Sequence, residues 1–322
     1  MGGRRHRVTI IGDVGADLVL GPVSGWPRVG TETVVEHSEL RVGGSAGNAA
    51  LAVSYLGALP ELLSAVGNDE TGAWLSRELR ASGITVAVCE APTTLTVGII
   101  HTSGDRTFFT TRGHLEKISY ESLRPLLVPA REPHAIALMS GPFLMPALQP
   151  AYPQLLRELQ TLGYRIALDT NWPPQGWSDA LRAEVGDWIS CCDHVLLNDL
   201  EVCSLADDED LDSAMRRVAH LLKDGASLIV KAGARGAIGI KGGVGSASSA
   251  IEIQIFDSIG AGDSFNAGYL LARLDGAPLA DSLAAGCRAA AAIISRFPRR
   301  SIGANELASL RPQLPLSGAR RA

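Results

Sequence analysis

The 322 residues carry a net charge of −5, with 46% hydrophobic and 20% charged residues. That balance supplies a sizeable core, excludes a disordered chain and, with no basic excess, argues against nucleic acid as a main partner. No apolar run approaches the roughly 20 residues of a membrane span.

The basic start, Met1 to Arg7, is followed by an apolar run too short for a signal peptide. The five cysteines (Cys89, Cys191, Cys192, Cys203, Cys287) show no C-x-x-C spacing and no histidine partners. The seven histidines are scattered, and none is proposed as a ligand. The expectation is a cytoplasmic protein with reduced thiols and no membrane partner.

In chain order, residues 8–12 read as a strand and 16–19 as a second short one. Residues 33–42 alternate imperfectly, as in a strand with one solvent-facing side. Gly43-Gly44 lead into a small-residue helix over 46–56 that ends at Gly57. Residues 62–66 read as a buried strand, 70–82 as a helix, 95–102 with 106–110 as a hairpin, and 120–127 as a short helix. From 135 onward strands (135–139, 165–168, 194–197, 227–231) alternate with helices (148–162, 180–188, 212–223). Such alternation builds a mostly parallel sheet with helices on both faces. A further hairpin joins 237–241 to 251–256, with Gly242-Gly243-Val244-Gly245 in its loop, and 279–295 is a long Ala-rich helix. No repeat or long linker divides the chain. The expectation is an α/β fold in a single domain, 1–322, with a small strand-built lid drawn from about 16–42 and 95–112.

The chain is organised around Asp257-Ser258-Ile259-Gly260-Ala261-Gly262-Asp263-Ser264-Phe265-Asn266-Ala267-Gly268. Gly260-Ala261-Gly262 falls where a loop turns into a helix. Backbone N–H groups there lack helical partners and the helix dipole favours an anion. Asp263 would stand beside that anion, a position suited to a base that takes a proton from an attacking hydroxyl. Asp is also a common first-turn residue, and Gly-Ala-Gly also serves a tight turn. A G-x-x-x-x-G-K-[ST] loop is absent, and Phe265 stands where a dinucleotide fingerprint needs its third glycine.

D-x-x-G-A-G-D-x-F-x-x-G resembles the C-terminal motif of the ribokinase-like (PfkB) carbohydrate kinases. That family also has an N-terminal Gly-Gly motif, matched by Gly43-Gly44-Ser45-Ala46-Gly47-Asn48. The resemblance implies a ribokinase-like three-layer fold, with a large α/β body and a β-sheet lid over the sugar. It implies ATP-dependent transfer of a phosphoryl group to a small sugar or sugar-like substrate, with Asp263 as base and the Gly260, Ala261 and Gly262 amides as the anion site. Asp17, Gly43, Gly44 and Asn48 match the sugar-binding residues, and Asp13, at a strand end, is a further candidate. Gly15 stands where ribokinase has Asn, which weakens a ribose reading. Asn198-x-x-Glu201 matches the motif that organises Mg2+ and phosphate, acting through water. An N-cap Asn followed by a first-turn acid would look the same.

Lys231-x-Gly233-x-x-Gly236 matches the stretch that lies along the nucleotide, and a turn would use the same residues. Asp169-Thr170-Asn171 ends a strand where open parallel sheets place ligands. The family's D-x-N-x-R is broken here by Pro173. Arg106 and Arg112, in or beside the lid hairpin, touch substrate or face solvent. The resemblance further implies a homodimer through the lid and a monovalent cation held by backbone near Asp257 and Ile259 and by a later loop. That later loop reads Arg296-Phe297-Pro298-Arg299-Arg300-Ser301, so a weak or absent cation effect is expected. A nucleoside kinase of the same fold and a catalytically silent sugar- or nucleotide-binding regulator are the rival readings.

Overall fold

The computed structural model describes residues 6–103, 106–254, 258–296, 299 and 301–309. The chain opens with β1 (Arg7–Gly12), β2 (Gly15–Val23), β3 (His37–Gly43) and α1 (Ser45–Tyr55). β4 (Leu59–Leu63), β5 (Ala65–Gly67), α2 (Glu70–Ala81) and β6 (Ala87–Cys89) follow, then β7 (Leu95–His101), β8 (Arg106–Thr110) and the short α3 (Tyr120–Leu123). The alternating part runs β9 (Ile136–Ser140), α4 (Tyr152–Thr161), β10 (Arg165–Asp169), α5 (Asp179–Cys191), β11 (His194–Asn198), α6 (Asp199–Ala206), α7 (Leu211–Ala219) and β12 (Ser227–Lys231). β13 (Ala237–Lys241) and β14 (Val244–Ser248) precede α8 (Ala261–Leu274), α9 (Leu279–Ile294) and α10 (Ala304–Ser309).

The main sheet has the order β14-β13-β12-β11-β10-β9-β1-β4. Its strands from β12 to β4 are parallel, and β13 and β14 add an antiparallel edge. The apolar strands are buried on both faces, as a sheet sandwiched by helices requires. Side chains alternate between two cores. Ile10, Leu138, Ala167, Leu196 and Ile229 join the core containing α1, α8 and α9, including Tyr269 and Leu283. Ile11, Met139, Leu168, Leu197 and Val230 face the other, built around Tyr152, Trp188 and Val202. All the parallel strands end on one edge, so the turns after them converge there.

A second sheet, β3-β2-β7-β8, comes from residues 15–43 and 95–110, the segments expected to form the lid strands. No helix among the described residues is long and apolar enough to cross a membrane.

Three expected strands are placed differently. The partner of β13 is Val244–Ser248, and Ile251–Gln254 form no strand. Gly242 (φ 55°) and Gly243 (φ 77°) alone make the turn, the two-residue left-handed connection that fits strand twist. Ile255 and Phe256 lie outside the described residues. The strand expected over 62–66 is two strands broken at Ser64, whose carbonyl accepts from Ala87 N as the chain leaves the main sheet for β5 and β6. The strand expected from Thr33 begins only at His37, where pairing with Gly21 of β2 starts.

Candidate active site

The two glycine motifs start two helices that face the same sheet edge. α8 begins after Gly260, which sits at φ 75° and carries no capping side chain. A Cβ there would stand 3.2 Å from Arg299 Nη1 and 3.3 Å from Asn48 Cγ, side-chain atoms that need give only slightly, so it is the left-handed conformation that calls for glycine. Arg299 Nη2 donates to the Ile259 carbonyl at 2.5 Å, tying the turn to the segment after α9. Ser264 N and Oγ both donate to the Gly260 carbonyl, at 2.9 and 2.8 Å.

Asp263 follows in the first turn and is 8% exposed. Burial pushes its carboxyl well above the ordinary range. Asp169 and Asp13 push the same way, while Lys231 and a hydrogen bond from Asn48 oppose them.

Beneath this turn lies a charged network from three elements. Asp169, at the end of β10, is 1% exposed. Its Oδ2 accepts from Lys231 Nζ of β12 at 2.5 Å and from Asn266 Nδ2 of α8 at 2.5 Å. Lys231 Nζ also lies 3.4 Å from where a Cβ on Gly262 would stand. Burial disfavours the ammonium, but Asp169 and Glu201 hold it charged and the net shift is upward.

Asn198 and Glu201 form a reciprocal cap at the start of α6. Glu201 N donates to Asn198 Oδ1 and Asn198 N donates to Glu201 Oε2, both at 2.8 Å. This explains the spacing structurally. Glu201 is 3% exposed, and burial, then Asp169, raises its carboxyl to about 7 against the pull of Lys231. Among the described residues no three His, Cys, Asp or Glu side chains converge to hold a metal ion unaided. Asn198 and Glu201 therefore fit Mg2+ only as an ion that keeps waters and phosphate oxygens as its other ligands.

At the other motif, Gly44 (φ 78°) precedes α1. Asp13 Oδ1 accepts from Ser45 Oγ at 2.7 Å and Ala46 N at 3.2 Å, and burial raises its carboxyl to about 6. Asn171 Nδ2 donates to Ser45 Oγ at 2.8 Å, so Ser45 links Asp13 to the end of β10. Asp17 lies against Gly43, where a Cβ would meet its Oδ1 at 2.0 Å.

The structure thus brings Asp13, Asp17, Gly43, Gly44 and Asn48 to one end of the site, and Gly260, Ala261, Gly262, Asp263, Lys231 and Glu201 to the other. Asn48 joins them. Gly233 and Gly236 lie in the turn after β12. Gly233 has open space around it, while a Cβ on Gly236 would meet the Ser248 carbonyl at 2.0 Å, a reason within the chain for glycine there. Arg235 pairs with Asp199 at 2.7 Å. Asn266, Ser45 and the contact of Arg299 with the turn were missed. Asn266 carried a signal, since it lies three residues after Asp263 on the same helix face. Of two nearby cavities, one of about 480 Å3 beside His6, Asp275 and Arg288 touches the motifs only at Gly268, and one of about 420 Å3 borders Asn48, Ser264 and Arg299.

The model of the pfkB family carbohydrate kinases matches residues 5–301. The chain belongs to the pfkB family. Over 151 residues it is 30% identical to a 2-dehydro-3-deoxygluconokinase of Dickeya dadantii (strain 3937). That stretch covers 44% of this chain and 46% of the relative, so the match spans about half the relative's length. The fold is similar to that of a probable sugar kinase from Rhizobium etli CFN 42, with a TM-score of 0.77, 22% identity and coverage of 94% and 96% of the two chains. It is also similar to Arabidopsis thaliana ribokinase solved with ribose and ATP, with a TM-score of 0.73, 18% identity and coverage of 92% and 95%. The pfkB chain therefore has the ribokinase-like α/β fold with its smaller second sheet.

Proposed function

We propose that this pfkB-family chain is an ATP-dependent kinase that phosphorylates a hydroxyl of a small sugar or sugar-like substrate. One observation carries the reading: a buried carboxylate, Asp263, stands in the first turn of a helix whose entry, at Gly260, bends through a left-handed glycine and lacks a side-chain cap. The amides of Gly260 and Gly262 stabilise negative charge on the transferring group, while the Ala261 N–H donates to the Ser258 carbonyl at 3.2 Å and must leave it to join them. Asp263 accepts the proton of the attacking hydroxyl, and that hydroxyl oxygen bonds to phosphorus as ADP leaves. Asp17, Asn48 and Asp13 orient the sugar, because carboxylates and amides suit vicinal hydroxyls. Mg2+, when held through water at Asn198 and Glu201, supplies charge neutralisation on the phosphates. The β3-β2-β7-β8 sheet serves as a lid that excludes water.

The relative's name puts 2-dehydro-3-deoxygluconate among the substrates to try. A nucleoside substrate is the second reading. It is favoured by exposed aromatic side chains on and beside the small sheet: Phe108, Phe109 and Trp26, the last edge-on to Phe109 at 5.9 Å. Arg299 on the Ile259 carbonyl supports a weak dependence on monovalent cations, since a fixed guanidinium already neutralises that oxygen. Asp257, Phe297, Pro298 and Arg300 lie outside the described residues. Sugar- or nucleoside-dependent ADP release, measured across a panel with an Asp263→Asn control, tests the reading. A binding-only regulator would release no ADP with any of them.

A further inference from the structure

The Asp263 carboxyl sits in a place hostile to its charge. Its neighbours at the strand ends are themselves buried acids, Asp13 after β1 and Asp169 on β10, with Glu201 of α6 acting on the same Asp169–Lys231 pair. α1 contributes the neutral amide of Asn48, and α9 packs on α8 through Ala285 and Ala289 at Gly268. Arg299 reaches the turn at Gly260 and is engaged with the Ile259 carbonyl. The cation that enters from below is Lys231, anchored on Asp169 and lying under Gly262, the residue before Asp263.

Taking Asp263 as the proton acceptor, we infer that Lys231 is a positioning residue that acts through it. Its ammonium, parked on Asp169 beneath Gly262, is the counter-charge that favours the Asp263 carboxylate as proton acceptor. The two partners act on Asp263 with opposite signs: Lys231 favours the carboxylate and Asp169 disfavours it. Asn266 holds the same Asp169 oxygen, so α8 carries both the base and a fastener for its counter-ion. A lysine that merely crosslinked β10 and β12 would not need to lie beneath Gly262.

The opposite signs give a test. The pH dependence of kcat/KM would be measured for wild type, Lys231→Met, Lys231→Arg, Asp169→Asn and the double variant Asp169→Asn/Lys231→Met. An opposite charge within a few ångström typically moves a carboxyl by about one to three units. The acidic limb of Lys231→Met is therefore expected to move up by about that much, with the rate recovering at high pH. Asp169→Asn is expected to move the limb down, the double variant to return toward wild type, and Lys231→Arg to stay near it. If Lys231→Met does not fold, the double variant against Asp169→Asn carries the test, its acidic limb being expected above that of Asp169→Asn and coincident limbs overturning the inference. A limb that stays in place while rates fall with melting temperature would make Lys231 a strut and overturn the inference. A pH-independent fall in kcat at unchanged melting temperature would overturn it too, in favour of direct contact with phosphate. The underlying reading fails separately: wild type would transfer no phosphoryl group, or the acidic limb would survive in Asp263→Asn.

Discussion

α1 and α8 begin alike and are used differently. Each follows a left-handed glycine, Gly44 or Gly260, and neither has a capping side chain on that residue. The start of α1 is filled by the protein's own acid: Asp13 accepts from Ser45 Oγ and Ala46 N, and its carbonyl accepts from Gly47 N. At α8 the carboxylate is on the helix itself, and what braces the turn is cationic, Arg299 at Gly260 and Lys231 under Gly262. A helix N-terminus with its own anion is a structural joint. One that no carboxylate caps, flanked by cations, is suited to a phosphoryl group. The same Gly-plus-helix signal in sequence therefore has two physical meanings, decided by what the fold brings to the amides.

Alanine at each glycine is the strongest way to break this contrast. On Gly44 a Cβ would stand 2.5 Å from the Asp13 carbonyl oxygen, a backbone atom that cannot swing away. Gly44→Ala is expected to lose about 3 kcal/mol of stability or more. On Gly260 the nearest atoms belong to side chains, so Gly260→Ala is expected to lose only about 1–2 kcal/mol, the left-handed penalty, while its turnover falls much further. Denaturant unfolding and initial rates would read both. Equal stability losses, or a Gly260→Ala enzyme as active as wild type, would erase the distinction.

Asp17→Ala sharpens it at the sugar end. Losing a charged hydrogen-bond acceptor, about 1.5–3 kcal/mol, should weaken sugar binding by about ten- to a hundredfold and leave ATP binding unchanged. Calorimetry with equal losses for both ligands would remove Asp17 from the sugar site.

Asp13 makes a pH prediction. Its folded-state value of about 6 lies above the ordinary carboxyl value, so the folded chain holds that proton more tightly between about pH 4 and 6. This contribution favours folding at low pH and is lost as pH rises through about 6. Asp13→Asn should therefore gain about 1–3 kcal/mol relative to wild type at pH 7.5, and much less at pH 4.5. Melting temperatures at the two pH values check the sign.

The smallest expected effect is an absence of cation specificity. Initial rates in sodium, potassium and large organic-cation buffers at fixed ionic strength should agree. Potassium-specific activation of several-fold would show that Arg299 does not substitute for an ion at the Ile259 carbonyl.

Much of the site was legible where chemistry is local. Gly260 to Asp263 and Gly43 to Asn48 are short motifs whose residues lie together in the chain, and the alternation of short apolar runs with helices from residue 135 announced the parallel sheet. The network of Asp169, Lys231 and Asn266 was not legible, because sequence separations of 62 and 97 residues are closed only by the fold. Asn198 and Glu201 could be read as cap or as metal helper. The structure displays the cap, and the second role is left to Mg2+ binding. The misplaced β14 has a local cause: in a run with three glycines, only the two with left-handed φ make the turn.

The most direct test of the account is the Asp263→Asn variant. Sugar-dependent ADP release would be followed beside ATP binding by calorimetry. Turnover should fall about 10²–10⁴-fold, the usual worth of a general base, with ATP affinity near wild type and a melting temperature no lower than wild type. Turnover within a factor of a few of wild type would contradict the account.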